Sequence, residues 1–119
     1  MRLELKLFYD ALCNGLSELY HYGIICEPNY EHYNKAKSKL SNRCSEDVYI
    51  QILEDGNTLS FIDEEGEGCY SVDVTIDMVI ERVFNTPQEN LLALIKEYGD
   101  ACDADVLLQT VLYNKIIFG

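Results

Sequence analysis

The chain has 119 residues, of which 21 are Asp or Glu and 9 are Lys or Arg, giving a formal net charge of −12. This charge argues against direct binding of nucleic acid, because affinity for phosphates comes mainly from Lys and Arg. Apolar residues make up 48% of the sequence, enough for a core, so we predict one folded domain over 1–119 rather than a disordered chain.

The first predicted element is a helix over about 4–22. Five side chains recur there at a helical 4-3-4-3 spacing: Leu5, Tyr9, Leu12, Leu16 and Leu19. Gly23 follows, and it can end the helix in a left-handed conformation. We interpret the stripe as a core face; the alternative is a dimer seam, which normally needs more heptads.

A short apolar run at 24–26, either a link or a short strand, leads to a second helix over about 28–41, which Pro28 can begin. The second helix and the residues just after it contain a basic cluster: Lys35, Lys37, Lys39 and Arg43. The simplest interpretation of this cluster is a solvated face that pairs with nearby carboxylates.

Three predicted strands follow, over about 48–54, 58–63 and 69–74. In the first, Val48, Ile50 and Ile52 recur at every second position, a period typical of a strand. Turn residues at 55–57 and an acidic segment at 63–68 separate the strands. We therefore predict a three-stranded antiparallel meander.

Two interpretations compete where the third strand ends. A helix already present at Asp73 would align Asp73, Asp77 and Glu81 at i, i+4 and i+8 in one acidic stripe. An extended chain at Asp73 would leave only Asp77 and Glu81 on a common helix. The alternating β-branched residues favour a strand first, followed by a helix over about 76–85.

Two further helices are predicted, over about 87–98 and 103–114. Thr86, Pro87 and Glu89 match an N-cap, a first helical position and a capping-box partner. Asp100 or Asp103 is expected to cap the last helix. Together these elements predict an α+β fold, in which a small antiparallel meander packs with four to five helices.

No catalytic residue is predicted. Cys13 and the histidine His21 could share the first helix, but eight residues separate them by about 12 Å along its axis, too far for a catalytic dyad. The sequence has no phosphate-binding loop, esterase or metalloprotease motif. His21, Cys26, His32 and Cys44 are zinc-type ligands, but they lack the close pairs typical of a structural site. We therefore expect a non-enzymatic protein without a metal or cofactor.

The sequence also predicts a compartment. No uncharged stretch approaches the roughly 18 residues of a membrane span. The first six residues are interrupted by charge where a secretory signal is apolar. Five widely spaced cysteines then fit a reducing environment, and we expect a cytoplasmic protein.

Acidic residues are concentrated in the stretch 54–105. It holds fourteen carboxylates and two cations, so its net charge equals the −12 of the whole chain. We expect the partner to be a basic protein surface, because an acidic surface steers association with basic proteins and competes with nucleic acid. The expected contact residues are Asp63, Glu64, Glu65, Glu67, Asp73, Asp77 and Glu81.

In charge and size the chain is similar to small acidic proteins of phages and mobile elements, which include DNA mimics and nuclease inhibitors. This similarity implies an inhibitor or nucleic-acid mimic that acts on a basic, nucleic-acid-binding protein, and it carries over no particular residues. The alternative is a structural or oligomerising protein that uses an apolar face, at Leu5–Leu19 or Ile116–Phe118. A small metal-binding protein is a third hypothesis, and the oligomeric state stays open.

Overall fold

The computed structural model describes residues 1–41 and 43–119. Within these ranges the chain forms six α-helices, one short 3-10 helix and three β-strands. The helices are α1 (Leu3–His21), α2 (Tyr30–Ser38), α3 (Ser45–Glu54), α4 (Ile76–Arg82), the 3-10 helix (Val83–Asn85), α5 (Gln88–Ile95) and α6 (Ala101–Tyr113). The strands are β1 (Ile24–Cys26), β2 (Leu59–Asp63) and β3 (Val72–Val74).

The three strands form one antiparallel sheet in the order β1-β2-β3. Ile24 pairs with Asp63 at one side of β2, and Leu59 pairs with Val74 at the other. Side chains alternate across β2, so that Leu59, Phe61 and Asp63 are buried while the residues between them are half-buried. The α+β class with a small antiparallel meander is confirmed.

The first strand of the meander was predicted at the wrong place. Residues 48–54 belong to helix α3, and the run at 24–26 supplies strand β1 instead. The amide of Cys44 donates to the carboxylate of Asp47 at 3.2 Å, which stabilises the first turn of α3. Val48, Ile50, Ile52 and Leu53 are all buried, because α3 packs against α2, α1 and β2. A helix covered on several sides can bury alternate residues as a strand does.

The five predicted helices are present; α2 is shorter than predicted at both ends, and the sequence signals around α5 act differently from what was expected. Thr86 does not cap α5: its buried hydroxyl donates to the carbonyl of Val83 at 2.7 Å and so closes the preceding 3-10 helix. Pro87 stands at the N-cap position instead. Beyond the other end of α5, Glu97 takes a left-handed conformation with a φ of 64°. Asp100 caps α6 as predicted, by accepting from the amide of Asp103 at 3.0 Å.

Helices α1 and α6 form the centre of the core. Leu5, Leu12 and Leu19 are at most 3% exposed, so the predicted stripe is a core face. A Cβ atom on Gly15 would lie 3.0 Å from the Cβ of Ala104, which means that glycine lets the two helices approach closely. In the described part of the chain, none of the helices has the length and apolar character needed to cross a lipid bilayer.

Helix α5 is less buried than its sequence suggests. It packs mainly on α6, and its Ala93 and Leu94 are at least nine-tenths buried. Leu92 and Ile95 lie on its other side and are 39% and 40% exposed. This helix therefore presents two apolar side chains to solvent.

Candidate functional site

The acidic loop, which we define as residues 64–71, joins β2 to β3. Asp63, the last residue of β2, organises the loop although it is only 5% exposed. Its carboxylate accepts hydrogen bonds from the amides of Gly66 at 2.7 Å, Tyr70 at 3.1 Å and Glu65 at 3.2 Å. Its own amide donates to the hydroxyl oxygen of Ser71 at 2.9 Å. Asp63 therefore holds the acidic loop from inside and does not face outward.

Hydrogen bonding fixes the ionised state of Asp63. The amides of Gly66, Tyr70 and Glu65 stabilise the carboxylate and lower its pKa from the usual value, although desolvation acts in the opposite direction. Glycine suits position 66, because a Cβ atom there would collide with the Asp63 carboxylate, which would then have to move. The charge of Asp63 is thus part of the loop structure.

The other predicted carboxylates of this loop are displayed on the surface. Glu64, Glu65 and Glu67 are all exposed. Glu67 has a φ of 55°, in the left-handed region that non-glycine residues adopt mainly in turns. The turn therefore displays three carboxylates within four consecutive positions, while the carboxylate of Asp63 lies inside it.

Asp73 lies beyond the loop, in the middle of β3. It pairs across the sheet with Ser60, whose hydroxyl donates to its carboxylate at 2.7 Å. Asp73 is exposed, whereas its neighbour Val74 is buried. The carboxylate therefore lies on the outer face of the sheet, opposite the core.

Asp77 and Glu81 are both exposed and lie four residues apart on α4. The hydroxyl of Thr75 accepts from the amide of Met78 at 3.2 Å and begins this helix. Because Asp73 is still extended, the three carboxylates do not form one helical stripe. The expected order of a strand first and a helix second is confirmed.

The negative charges of the expected contact residues are not paired with Lys or Arg within the described ranges. Among residues 1–41 and 43–119, the ion pairs join Arg2 to Glu4, Lys6 to Asp10 and Glu97, and Lys39 to Asp55. None of them involves an expected contact residue. Arg82, although it lies on α4, donates from its guanidinium to the carbonyls of Val111 at 2.9 Å and Leu112 at 3.3 Å, near the end of α6.

Tyr70 of the acidic loop belongs to an aromatic cluster, which we define as Tyr22, Tyr70, Tyr113 and Phe118. The ring of Phe118 stacks on Tyr22 at 4.9 Å between centroids and meets Tyr70 edge-on at 5.2 Å. The hydroxyl of Tyr113 donates to the carbonyl of Tyr70 at 2.9 Å. The sequence indicated Ile116–Phe118 only as a possible apolar face for association, and it gave no sign that Phe118 contacts the acidic loop.

The residues weighed as metal ligands do not come together. In the described ranges, no three His, Cys, Asp or Glu side chains converge as ligands of one metal ion. Burial raises the pKa of the Cys26 thiol to about 12, which keeps that sulfur protonated. Cys44 donates to the carboxylate of Asp47 at 2.9 Å and thereby supports the start of α3.

The positions of the cavities also distinguish the expected contact residues from a binding site for a small molecule. Hollows of about 230, 310 and 270 Å³ are lined by residues of α1, α2, α3, the end of α5 and the segments beside these helices, and by none of the expected contact residues. A smaller groove of about 120 Å³ lies beside β3 and is lined in part by Asp73. The expected carboxylates therefore form an exposed surface and do not surround one of these cavities.

Comparison of the chain with protein-family models, with curated protein sequences and with solved structures finds no match.

Proposed function

We propose that this chain is a non-enzymatic, acidic protein-binding module. Its partner is a basic, nucleic-acid-binding protein, which it inhibits by acting as a nucleic-acid mimic. The observation that carries the proposal is the acidic loop: Asp63 fixes it from inside, while Glu64, Glu65 and Glu67 stay exposed and form no ion pair within the described ranges. Carboxylates fixed in this way can occupy positions that phosphates take on a basic surface.

The remaining expected contact residues extend the surface along the chain. Asp73 adds a carboxylate on the outer face of the sheet, and Asp77 and Glu81 add two on α4. Asp63 supports the surface without contacting the partner. We place the protein in the cytoplasm, where its five free cysteines would stay reduced, and we expect no direct contact with nucleic acid.

Charge reversal tests the proposal. Changing Glu64, Glu65, Glu67 and Glu81 to Lys leaves the Asp63 hydrogen bonds in place. We expect the affinity for a basic partner captured from host extract to fall by roughly a hundredfold or more, since like charges brought together across an interface cost several kcal/mol. The measurement is the amount of that partner retained on immobilised wild-type and variant protein.

The control reverses four carboxylates elsewhere and so changes the net charge equally. Glu27, Glu31, Glu54 and Glu89 are exposed and suit this purpose. Their Lys variant should retain the partner, and both variants should unfold at the temperature of the wild type or above it. If the first variant retains as much of the partner as the wild type does, binding by the acidic surface is refuted.

A second candidate function is association through an apolar face. Of the surfaces expected for it, Leu5–Leu19 is a core face. In the run Ile116–Phe118, the ring of Phe118 lies in the aromatic cluster and only Ile116 is largely exposed. The exposed Leu92 and Ile95 on α5 favour this candidate instead. Salt separates the two functions, because it screens an acidic surface and leaves apolar contacts as strong or stronger.

A further inference from the structure

Tyr70 links the acidic loop to the far end of the described chain. Its amide donates to the Asp63 carboxylate at 3.1 Å, so its backbone belongs to the hydrogen-bond set that shapes the loop. Its carbonyl accepts from the hydroxyl of Tyr113, and its ring lies 5.2 Å from that of Phe118. A movement of Phe118 would therefore be transmitted to the acidic loop by Tyr70.

A buried side-chain amide fixes the position of Phe118. Gln109 on α6 is fully buried. Its Oε1 accepts from the amides of Ile117 at 2.8 Å and Phe118 at 2.9 Å, and its Nε2 donates to the carbonyl of Phe118 at 3.3 Å. Gln109 thus binds the backbone of this segment much as a neighbouring strand would.

The other side of Phe118 is also held by core elements. Its ring stacks on Tyr22 with only 11° between the ring planes. The hydroxyl of Tyr22 donates to the carboxylate of Asp105 at 2.8 Å, and Gln109 donates to the other oxygen of Asp105 at 2.9 Å. These contacts tie Phe118 to the core, so its ring is a fixed support for Tyr70.

We propose that residues 116–119, which we call the strap, position the acidic loop. Phe118 holds the ring of Tyr70, and Tyr70 keeps the loop in the conformation that displays Glu64, Glu65 and Glu67. Phe118 is thus a positioning residue for the surface described under the proposed function, and the importance of the strap for partner binding rests on that function. Displacement of Phe118 would loosen the loop without removing any of its charges.

Amide hydrogen exchange in the full chain tests this role without any partner. In Phe118→Ala, we expect the amides of Gly66 and Tyr70 to exchange roughly tenfold faster, the size of effect that follows from losing aromatic contacts. The matched control is Ile116→Ala, because Ile116 belongs to the same strap and is 46% exposed. In the Ile116→Ala protein, the amides of Gly66 and Tyr70 should exchange at the wild-type rate.

Amides in the core report whether the variant is folded. Those of Leu12 and Leu19 in α1 should keep their protection in both variants. If Phe118→Ala loses this protection, Phe118→Leu keeps most of the volume while removing the ring contacts, and it should give the same faster exchange in the loop. Wild-type exchange at Gly66 and Tyr70, in a Phe118 variant with an intact core, would overturn the proposal.

The two proposals fail in different experiments. Exchange in the loop is measured on the isolated protein, so it tests the strap whatever the protein binds. Charge reversal leaves Phe118 unchanged, so it tests the acidic surface whatever positions it. Suppose that the loop amides exchange faster in the Phe118 variants but charge reversal does not change partner binding. The proposal about the strap would then stand, and the proposed function would be refuted.

Discussion

Asp63 and Glu64 are adjacent carboxylates with different roles. Asp63 is the last inward-facing residue of β2, and its charge is satisfied by three amides of its own loop. Glu64 follows it and is exposed. Counting charges placed both residues on a binding surface. The alternation along β2, together with a glycine three residues after Asp63, is the local pattern that distinguishes them.

The lowered pKa of Asp63 predicts how the acidic loop responds to acid. Its hydrogen bonds favour the charged form in the folded protein, so their stabilising effect is present above the ordinary Asp pKa of about 3.9. It is lost as the pH falls through the lower pKa of the folded state. In an NMR titration, the amide proton shifts of Gly66 and Tyr70 should therefore change together, with a midpoint below about 3.9.

Asp63→Asn provides the control for this titration. The oxygen of the Asn side chain can still accept from the amides of Glu65 and Gly66, whereas its NH2 group cannot accept from the amide of Tyr70. The Asn side chain does not ionise in this range. The common transition of Gly66 and Tyr70 should then disappear, while titrations elsewhere in the protein remain. A wild-type midpoint at or above the ordinary Asp value would contradict the role assigned to Asp63.

At the scale of elements, the sequence predicted helices better than strands. The stripe of α1 and the cap of α6 depend on neighbours within one or two turns. The stripe was correctly predicted, and the observed cap, Asp100, is one of the two residues expected there. Helix α3 was mistaken for a strand, because its buried residues recur at every second position and are largely β-branched. What decides its structure is burial against α1, α2 and β2, and sequence periodicity does not contain those contacts.

Gly15 illustrates an interaction between elements that overrides helix propensity. Glycine is a poor helix former, yet any side chain here would press on Ala104 and Leu108 of α6. We expect Gly15→Val to lower the free energy of unfolding by about 1–3 kcal/mol, the usual cost of overpacking. Urea denaturation of the variant and the wild type measures this difference.

Ser17 offers a matched site on the same helix. It is exposed, so Ser17→Val should change the free energy of unfolding by less than about 0.5 kcal/mol. A Gly15→Val protein as stable as the wild type would show that α1 and α6 are not in close contact at this point.

At the scale of the whole molecule, charge is strongly segregated along the chain. Residues 1–53 hold seven carboxylates and six cations, whereas 54–105 carry the net charge of −12. This imbalance was visible in the sequence, as was the acidic segment at 63–68. The contact between Tyr70 and Phe118 was not, because residues 48 positions apart leave no periodic pattern. Only the fold brings the strap into contact with the acidic loop.

The most direct test of the central claim is the salt dependence of binding to a purified basic partner. We expect Kd to rise steeply between about 0.1 and 1 M salt, as the screening length falls from about 10 to 3 Å. Changing Glu64, Glu65 and Glu67 to Gln should weaken binding at low salt and flatten this dependence. A Kd that stays constant across this range, or that ignores the loss of these three charges, would contradict recognition through the acidic loop.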